Sequence, residues 1–408
     1  MRRPLLTLLA AGLTLAGCSG DLRPPTALFL ALGTNSEQRI DSDLRDDFQE
    51  RLALLTEGFQ QLHPDTTIQA EIYPGDQLIQ AISRRERAGL EPDLLFVNGD
   101  TALRLLRDGR VRPFPAEPEL LRNFDPTLLD RVRDPRGQLA GLPVLVQPQL
   151  SCFNRRQVPQ APRDLNAVLQ LSAAGQAVGL PLDPVNLLWT AGSVGAMPAL
   201  EQSLRRQPLS PAHRQAIARW MGWLREASGQ RRVSFFPSQR ETLEEFEAGR
   251  LAWIPCNSIE LPQLERRLGG QLGVAPLPDG AEGQPAVAVN RVRVIALGRH
   301  SSPRGRLRAL DYVRYAVNPL TQQTMTSGLL AVVPANRFVT LPVQSSQRLQ
   351  AMQTAVAQGR QTSALVALIH SDDARVPQLQ GVFTRLVFGD TSPAAAAAAV
   401  VRILEQQR

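Results

Sequence analysis

The sequence predicts an α/β fold built on doubly wound, largely parallel sheets, and three observations between residues 26 and 114 carry that prediction. Apolar stripes on a 3.6-residue period alternate with short β-branched or fully apolar runs. Proline or glycine stands at most junctions. The order is strand, helix, strand, helix, the pattern of parallel strands joined by crossovers. The apolar run Thr26–Leu32 is the first strand. Phe48, Leu52, Leu55, Phe59 and Leu62 then recur at spacings of four, three, four and three, one helical stripe that His63-Pro64 stops. Thr66–Tyr73 alternates apolar and polar residues and is a second strand. After Pro74-Gly75 turns the chain, Leu78, Ile79, Ile82 and Ala88 mark a second helix, which Gly89 ends. Leu94–Val97 is a short apolar strand covered on both faces. Asp100 or Thr101 caps a third helix, closed by Gly109.

Ligands of open α/β sheets bind outside the carboxyl ends of the strands. Those ends are Gly33-Thr34-Asn35, Tyr73–Asp76 and Asn98-Gly99-Asp100, each holding glycine, short polar residues or both. Turn formation alone would account for any one of them. Three on one sheet edge point to a cleft.

Met1–Gly17 reads as an export signal, with Arg2 and Arg3 ahead of the apolar stretch Leu5–Leu15 and Leu15-Ala16-Gly17-Cys18 at the processing site. It resembles a bacterial lipoprotein signal, which implies that Cys18 becomes the lipid-modified first residue. The apolar stretch is too short to span a bilayer. Residues 18–25 form a brief tether. Losing Arg2 and Arg3 takes the formal charge from +7 to +5.

At 43% hydrophobic and 20% charged, the chain of 408 residues is long enough to bury two cores. The sequence pI of 10.4 invites a nucleic-acid reading. Scattered basic residues, never more than two in a row and mixed with acids, argue against it. Every basic side chain besides histidine is arginine. The absence of lysine excludes P-loop phosphate binding, Schiff bases and Ser-x-x-Lys hydrolases. The four histidines, His63, His213, His300 and His370, show no metal-ligand spacing. No nucleophile elbow, Cys-x-x-Cys or dinucleotide fingerprint is present, so neither an enzyme nor a cofactor is indicated.

The segment Arg136–Asn154 carries G-x-x-x-G-L-P and then an asparagine. Around it stand F-x-x-x-x-P-x-x-x-I in Phe59–Ile68, G-x-x-P-D-L in Gly89–Leu94 and L-x-x-G-x-V-x-P-F in Leu106–Phe114. E-x-F-x-x-G-R-L-A in Glu244–Ala252, L-G-V-A-P-L-P in Leu272–Pro278 and N-P-x-x-Q with G-L-L-A-V-V-P in Asn318–Pro334 follow. In this order and spacing the motifs resemble the extracellular solute-binding proteins, the family that includes maltose- and other sugar-binding proteins. The resemblance implies a class II periplasmic-binding-protein fold: two doubly wound α/β lobes joined by crossing hinge strands. It places residues 26–142 and 288–328 in the first lobe and 143–287 and 329–408 in the second. Crossings fall near Leu142–Gln149, after Asp279–Gln284 and near Leu329–Pro334. The last helix opens with Ser392 as cap and Pro393 at its first position, followed by six alanines.

By the same resemblance the ligand-facing positions are Asn35, Ser36, Tyr73, Asp76, Asn98, Asp100, Gln147, Asp183, Asn257, Ser258, Asn290 and Arg291. For each, the alternative is a loop side chain bonded to nearby backbone. Sugar binders of this family place Trp or Tyr across the cleft, but this chain is only 5% aromatic and has Val185 and Ile259 at such places. Trp189 and Trp253 remain as platforms, with core packing as the alternative. The resemblance implies a small solute, a mono- or disaccharide, handed to the permease subunits of an ABC importer. It implies a monomer tied to the membrane by lipid, with no nucleic-acid partner. The carboxylates among the candidates favour a neutral ligand; Arg291 or Arg293 in the cleft would favour a sugar phosphate instead. A signalling receptor of the same fold would use the same surfaces. Cys152 and Cys256 lie on second-lobe strands, and the residues alone leave a disulfide and two buried thiols both open.

Overall fold

Twelve strands are described: β1 (Thr26–Gly33), β2 (Thr66–Tyr73), β3 (Leu94–Asn98), β4 (Val111–Arg112), β5 (Leu142–Gln147), β6 (Gln149–Asn154), β7 (Val178–Pro181), β8 (Val233–Phe236), β9 (Trp253–Asn257), β10 (Leu272–Ala275), β11 (Arg291–Gly298) and β12 (Val333–Pro334). They come from a computed structural model describing residues 25–34, 42–115, 117–328, 331–362 and 373–406. The signal Met1–Gly17, Cys18, Asn35, Ser36 and His370 lie outside these residues.

The strands form two sheets. The first has the order β12-β5-β11-β3-β1-β2, with β4 against β11; the second runs β10-β6-β9-β7-β8. In the first, β1 is parallel to β2 and β3, as the strand–helix alternation requires. β11 enters antiparallel between β3 and β5. In the second, β7 is parallel to β8 and β9 while β6 runs antiparallel to β9 and β10. Each sheet has its own apolar core, so the chain builds two α/β lobes.

β2 has the bounds its alternation predicts. In the helix Ser42–Leu62, Phe59 is fully buried and meets Tyr312 edge-on at 5.1 Å. Gly89 has φ +67°, the left-handed conformation that ends the helix Leu78–Arg87 without a Cβ penalty. Other bounds move. Asn98, not Asp100 or Thr101, is the N-cap of the helix Gly99–Arg107, because the strand stays extended through Asn98. The strand expected at Leu251–Ile254 is β9, starting at Trp253. The chain leaves the helix Gln239–Glu247 through Gly249 (φ +74°) and needs Arg250–Ala252 to reach the sheet. The boundary at Leu142–Pro143 falls inside β5, which pairs with β11 and β12 in the first sheet. One residue, Pro148, separates β5 from β6.

Cys152 and Cys256 form a disulfide between β6 and β9, with Cα atoms 5.8 Å apart. Trp189 and Trp253 are fully buried, their rings 6.1 Å apart, with Trp223 6.5 Å beyond Trp189. They are second-lobe core, not ligand platforms. Trp189 and Trp253 pack on each other inside that core.

Three outcomes follow from these contacts. Alkylation of the unfolded, unreduced protein is expected to label neither Cys152 nor Cys256. Reducing the bridge, which closes a separation of 104 residues, should cost about 4–5 kcal/mol on the chain-entropy scale, read from denaturation midpoints. Trp253→Ala should remove about 3–5 kcal/mol of stability through the cavity it leaves. A denaturation midpoint within error of the parent would contradict that core assignment.

Candidate functional site

The carboxyl ends of β1 and β3 meet the start of β11, and one side chain ties them together. Arg293 is only 2% exposed. Its Nη2 donates to the carbonyls of Gly33 (2.6 Å) and Phe96 (3.1 Å), and its Nη1 donates to Asn98 Oδ1 (3.0 Å). Its guanidinium also lies 4.6 Å from the centroid of the Phe96 ring. Asn98 thereby turns its amide towards Arg293 and makes no side-chain cap for its own helix.

The pairing register sets what lies beside this knot. Arg293 is opposite Asn98 on β3, and Arg291 is opposite Gln147 on β5. Paired residues share a face, as do residues two apart on a strand. Asn98, Arg293, Arg291 and Gln147 therefore stand on one face at the strand ends. Gln147 is 4% exposed, and its Oε1 accepts no hydrogen bond among the described residues. Arg291 Nη2 reaches across to Asn186 Oδ1 in the second lobe at 3.4 Å.

A third arginine adjoins this group. Arg131, buried on the segment leading to β5, donates to the carbonyl of Asn290. Burial lowers both Arg131 and Arg293 to about 10, and Asp100 pulls each back up; nearby Arg291 lowers Arg293 further. Both remain cationic at neutral pH. Asp100, in the first turn of the helix Gly99–Arg107, is the carboxylate they share.

The junction between lobes is held by Gln149 and Asn290. Gln149 Nε2 donates to the Asn186 carbonyl (2.7 Å), and its Oε1 accepts from Val289 N (3.1 Å). Its backbone N donates to Asn290 Oδ1 (3.3 Å), and Asn290 Nδ2 donates to the Ala355 carbonyl (3.1 Å). On the second lobe, Asp183 caps the helix Pro184–Ser193 by accepting from Asn186 N (2.9 Å). Asn257 is opposite Gln149 in register, and its backbone N and Nδ2 donate to Glu260 (2.7 and 3.1 Å). The backbone N of Ser258 donates to the Pro148 carbonyl (2.9 Å), while its Oγ is buried without a partner among the described residues.

The structure thus gathers Asn98, Asp100, Gln147, Asp183, Asn257, Ser258, Asn290 and Arg291 along one chain of contacts. Asp76 stands exposed in the turn beyond β2. Tyr73 is half-buried, and its hydroxyl donates to Glu71 Oε2 at 2.5 Å. Burial, then Glu71, pushes its phenol up to about 12. Several candidates also do structural work: Asp183 is a cap and Asn257 part of a capping box, the local bonding named as the alternative, and Asn290 is a strut to the distant Ala355. Sequence reasoning missed Arg131, Gln149 and Asn186 and gave Arg293 only a conditional role. The period-2 spacing from Arg291 and the Gln-Pro-Gln run around Pro148 were the available signals.

A second concavity, of about 590 Å³, opens at the β12 edge between Asp125–Arg131 and the helix Gln347–Gln358. Of the residues above it touches Arg131 and Asn290 only. It lies at the opposite edge of the first sheet from β1 and β2. Among the described residues no group of three metal-ligating side chains gathers, and no helix is long and apolar enough to cross a membrane.

The fold is similar to solved structures of binding proteins. The GacH receptor of Streptomyces glaucescens GLA.O superposes with a TM-score of 0.71 at 16% identity, over 94% of this chain and 100% of that one. The maltose-maltodextrin binding protein of Alicyclobacillus acidocaldarius gives 0.68 at 16%, over 93% and 100%. Maltodextrin binding protein MalE1 from L. casei BL23 gives 0.71 at 14%, over 94% and 100%. A search of curated proteins finds no match. Such identities establish the two-lobed fold alone. Residues 55–370 match the family model for bacterial extracellular solute-binding proteins, and the chain belongs to that family of receptors, which are not enzymes.

Proposed function

We infer that this protein is a lipid-anchored receptor that captures a sugar of one or two rings between its lobes and delivers it to an ABC importer. The observation that carries the reading is the junction itself. Hydrogen-bonding side chains from both lobes converge where three strand passages cross, and Pro148 leaves a single residue as hinge between β5 and β6. A solute bridging Asn98 and Gln147 on one side and Asp183 and Ser258 on the other would favour the closed pair of lobes, as binding energy selects one of two arrangements. The amides and hydroxyls present suit a polyhydroxylated ligand. The solved relatives named above include a receptor determined with acarbose and proteins described as maltose or maltodextrin binding. Micromolar capture requires only about 8 kcal/mol, within reach of a few buried polar contacts.

Anchoring would come from Cys18, outside the described residues. A single acyl chain holds a protein at a membrane marginally, and more than one holds it stably. The Cys18→Ala variant is therefore expected in the soluble fraction. Sedimentation of that variant with membranes after a salt wash would remove the lipid anchor from the reading.

Closure is measured directly by small-angle scattering. A sugar that binds is expected to reduce the radius of gyration. A radius unchanged at saturation would mean that binding does not draw the lobes together, and the delivery role would lose its basis.

A further inference from the structure

We propose that the cavity of about 590 Å³ at the β12 edge is a second binding site, one that takes a small organic carboxylate. It goes beyond the receptor reading above and does not depend on which solute fills the cleft. Val146 lines the cavity together with Val333, its register partner on β12. Consecutive residues of a strand point to opposite faces, so Val146 looks away from the face that carries Gln147. The cavity therefore lies behind the crossing, on the other side of β5 from Gln147. Its walls come from both lobes. Leu128 and Arg131 stand on the first-lobe segment ahead of β5. Val356 and Ala357 belong to the helix Gln347–Gln358, which packs into the second-lobe core. Small-molecule sites have volumes of roughly 300–1,000 Å³, and this cavity falls among them.

Arg131 gives the cavity its chemistry. It is 8% exposed, and its one hydrogen bond among the described residues runs from Nη2 to the Asn290 carbonyl. Nε and Nη1 donate to no acceptor among those residues. A buried guanidinium with unused donors is costly unless an acceptor meets it. Nη2 keeps a second N–H, which with Nε or Nη1 makes the two-donor edge that a carboxylate fits. Asp100, the carboxylate that acts on Arg131, does not line the cavity. Asp125 is the one acid that does, and both its oxygens are engaged. Oδ1 accepts from Thr127 N (2.9 Å) and Oγ1 (2.8 Å), and Oδ2 meets Arg360 Nε at 3.3 Å. Arg337, an exposed lining residue, has its guanidinium 5.0 Å from the Phe338 ring and adds positive charge. Leu128, Val146, Val333 and Val356 make the walls around Arg131 apolar. A monoanion on an apolar body satisfies both the fork and those walls.

Calorimetry on the purified protein compares benzoate and hexanoate with their neutral amides and with inorganic phosphate. The same titrations are run on Arg131→Lys and on Ala357→Trp, which puts a ring at an exposed position of the cavity. Circular dichroism and melting curves confirm that both variants fold. At least one carboxylate is expected to bind about ten-fold tighter than its amide, the scale of one charge-assisted hydrogen bond. Ala357→Trp should remove that binding. Arg131→Lys should lower it about ten-fold and leave the amide's binding unchanged. Absence of binding by either acid at millimolar concentration, or amides that bind as well as the acids, overturns the site. So does carboxylate binding that survives both substitutions, or phosphate binding tighter than either acid. If Arg131→Lys fails to fold, Ala357→Trp decides by itself. The receptor reading is tested by scattering with sugars, and none of these outcomes alters it.

Discussion

Everything in this molecule depends on a passage one residue long. β5 ends at Gln147, β6 begins at Gln149, and Pro148 between them has no N–H to offer either sheet. The two sheets cannot slide independently, because the register of β5 against β11 continues directly into the register of β6 against β9. Gln149 and Asn290 then secure the passage. Between them they satisfy backbone groups from the second strand passage, from the helix Pro184–Ser193 and from the helix Gln347–Gln358. Buried, hydrogen-bonded amides hold their neighbours in place, so both strand ends next to Pro148 are braced.

The second lobe supplies the rigidity that such a hinge requires. Its core is aromatic at the centre, with Trp189 between Trp223 and Trp253, and Trp220 edge-on to Phe383 at 5.2 Å. Trp220 Nε1 donates to Thr190 Oγ1 at 2.8 Å, which satisfies its polar edge inside the core. The disulfide crosses the same sheet from β6 to β9, next to the crossing and one residue before Asn257. The strand ends that face the first lobe are therefore braced covalently as well as by packing. All four tryptophans of the chain, Trp189, Trp220, Trp223 and Trp253, lie in this core.

The electrostatics of the cleft follow from where strands end. Arg293 stands on a strand that enters antiparallel between β3 and β5, opposite Asn98, so it arrives at the carboxyl ends of the parallel strands. Carbonyls from β1 and β3 accept hydrogen bonds from it and hold it at the point where three segments of chain converge. Asp100, in the first turn of the helix Gly99–Arg107, acts as an opposing charge on both Arg293 and Arg131. The same arrangement turns Asn98 from a helix cap into a partner for arginine, which is why its helix begins without a side-chain cap.

What the sequence determined by itself is local. The alternation in Thr66–Tyr73, the glycine after the second helix and the Ser392-Pro393 start of the last helix each depend on residues within one or two turns, and each stands where it was read. The order of motifs carried the family and the two-lobed fold, because that information is also linear. Tertiary structure decided which candidates share a site and what each one does. The local sequence around Trp253 left core packing and a ligand platform both open; its place in the second-lobe core, against Trp189, decides for packing. Arg293 bonds to Asn98 and Gly33, 195 and 260 residues away along the chain. No period or spacing encodes a contact at that distance.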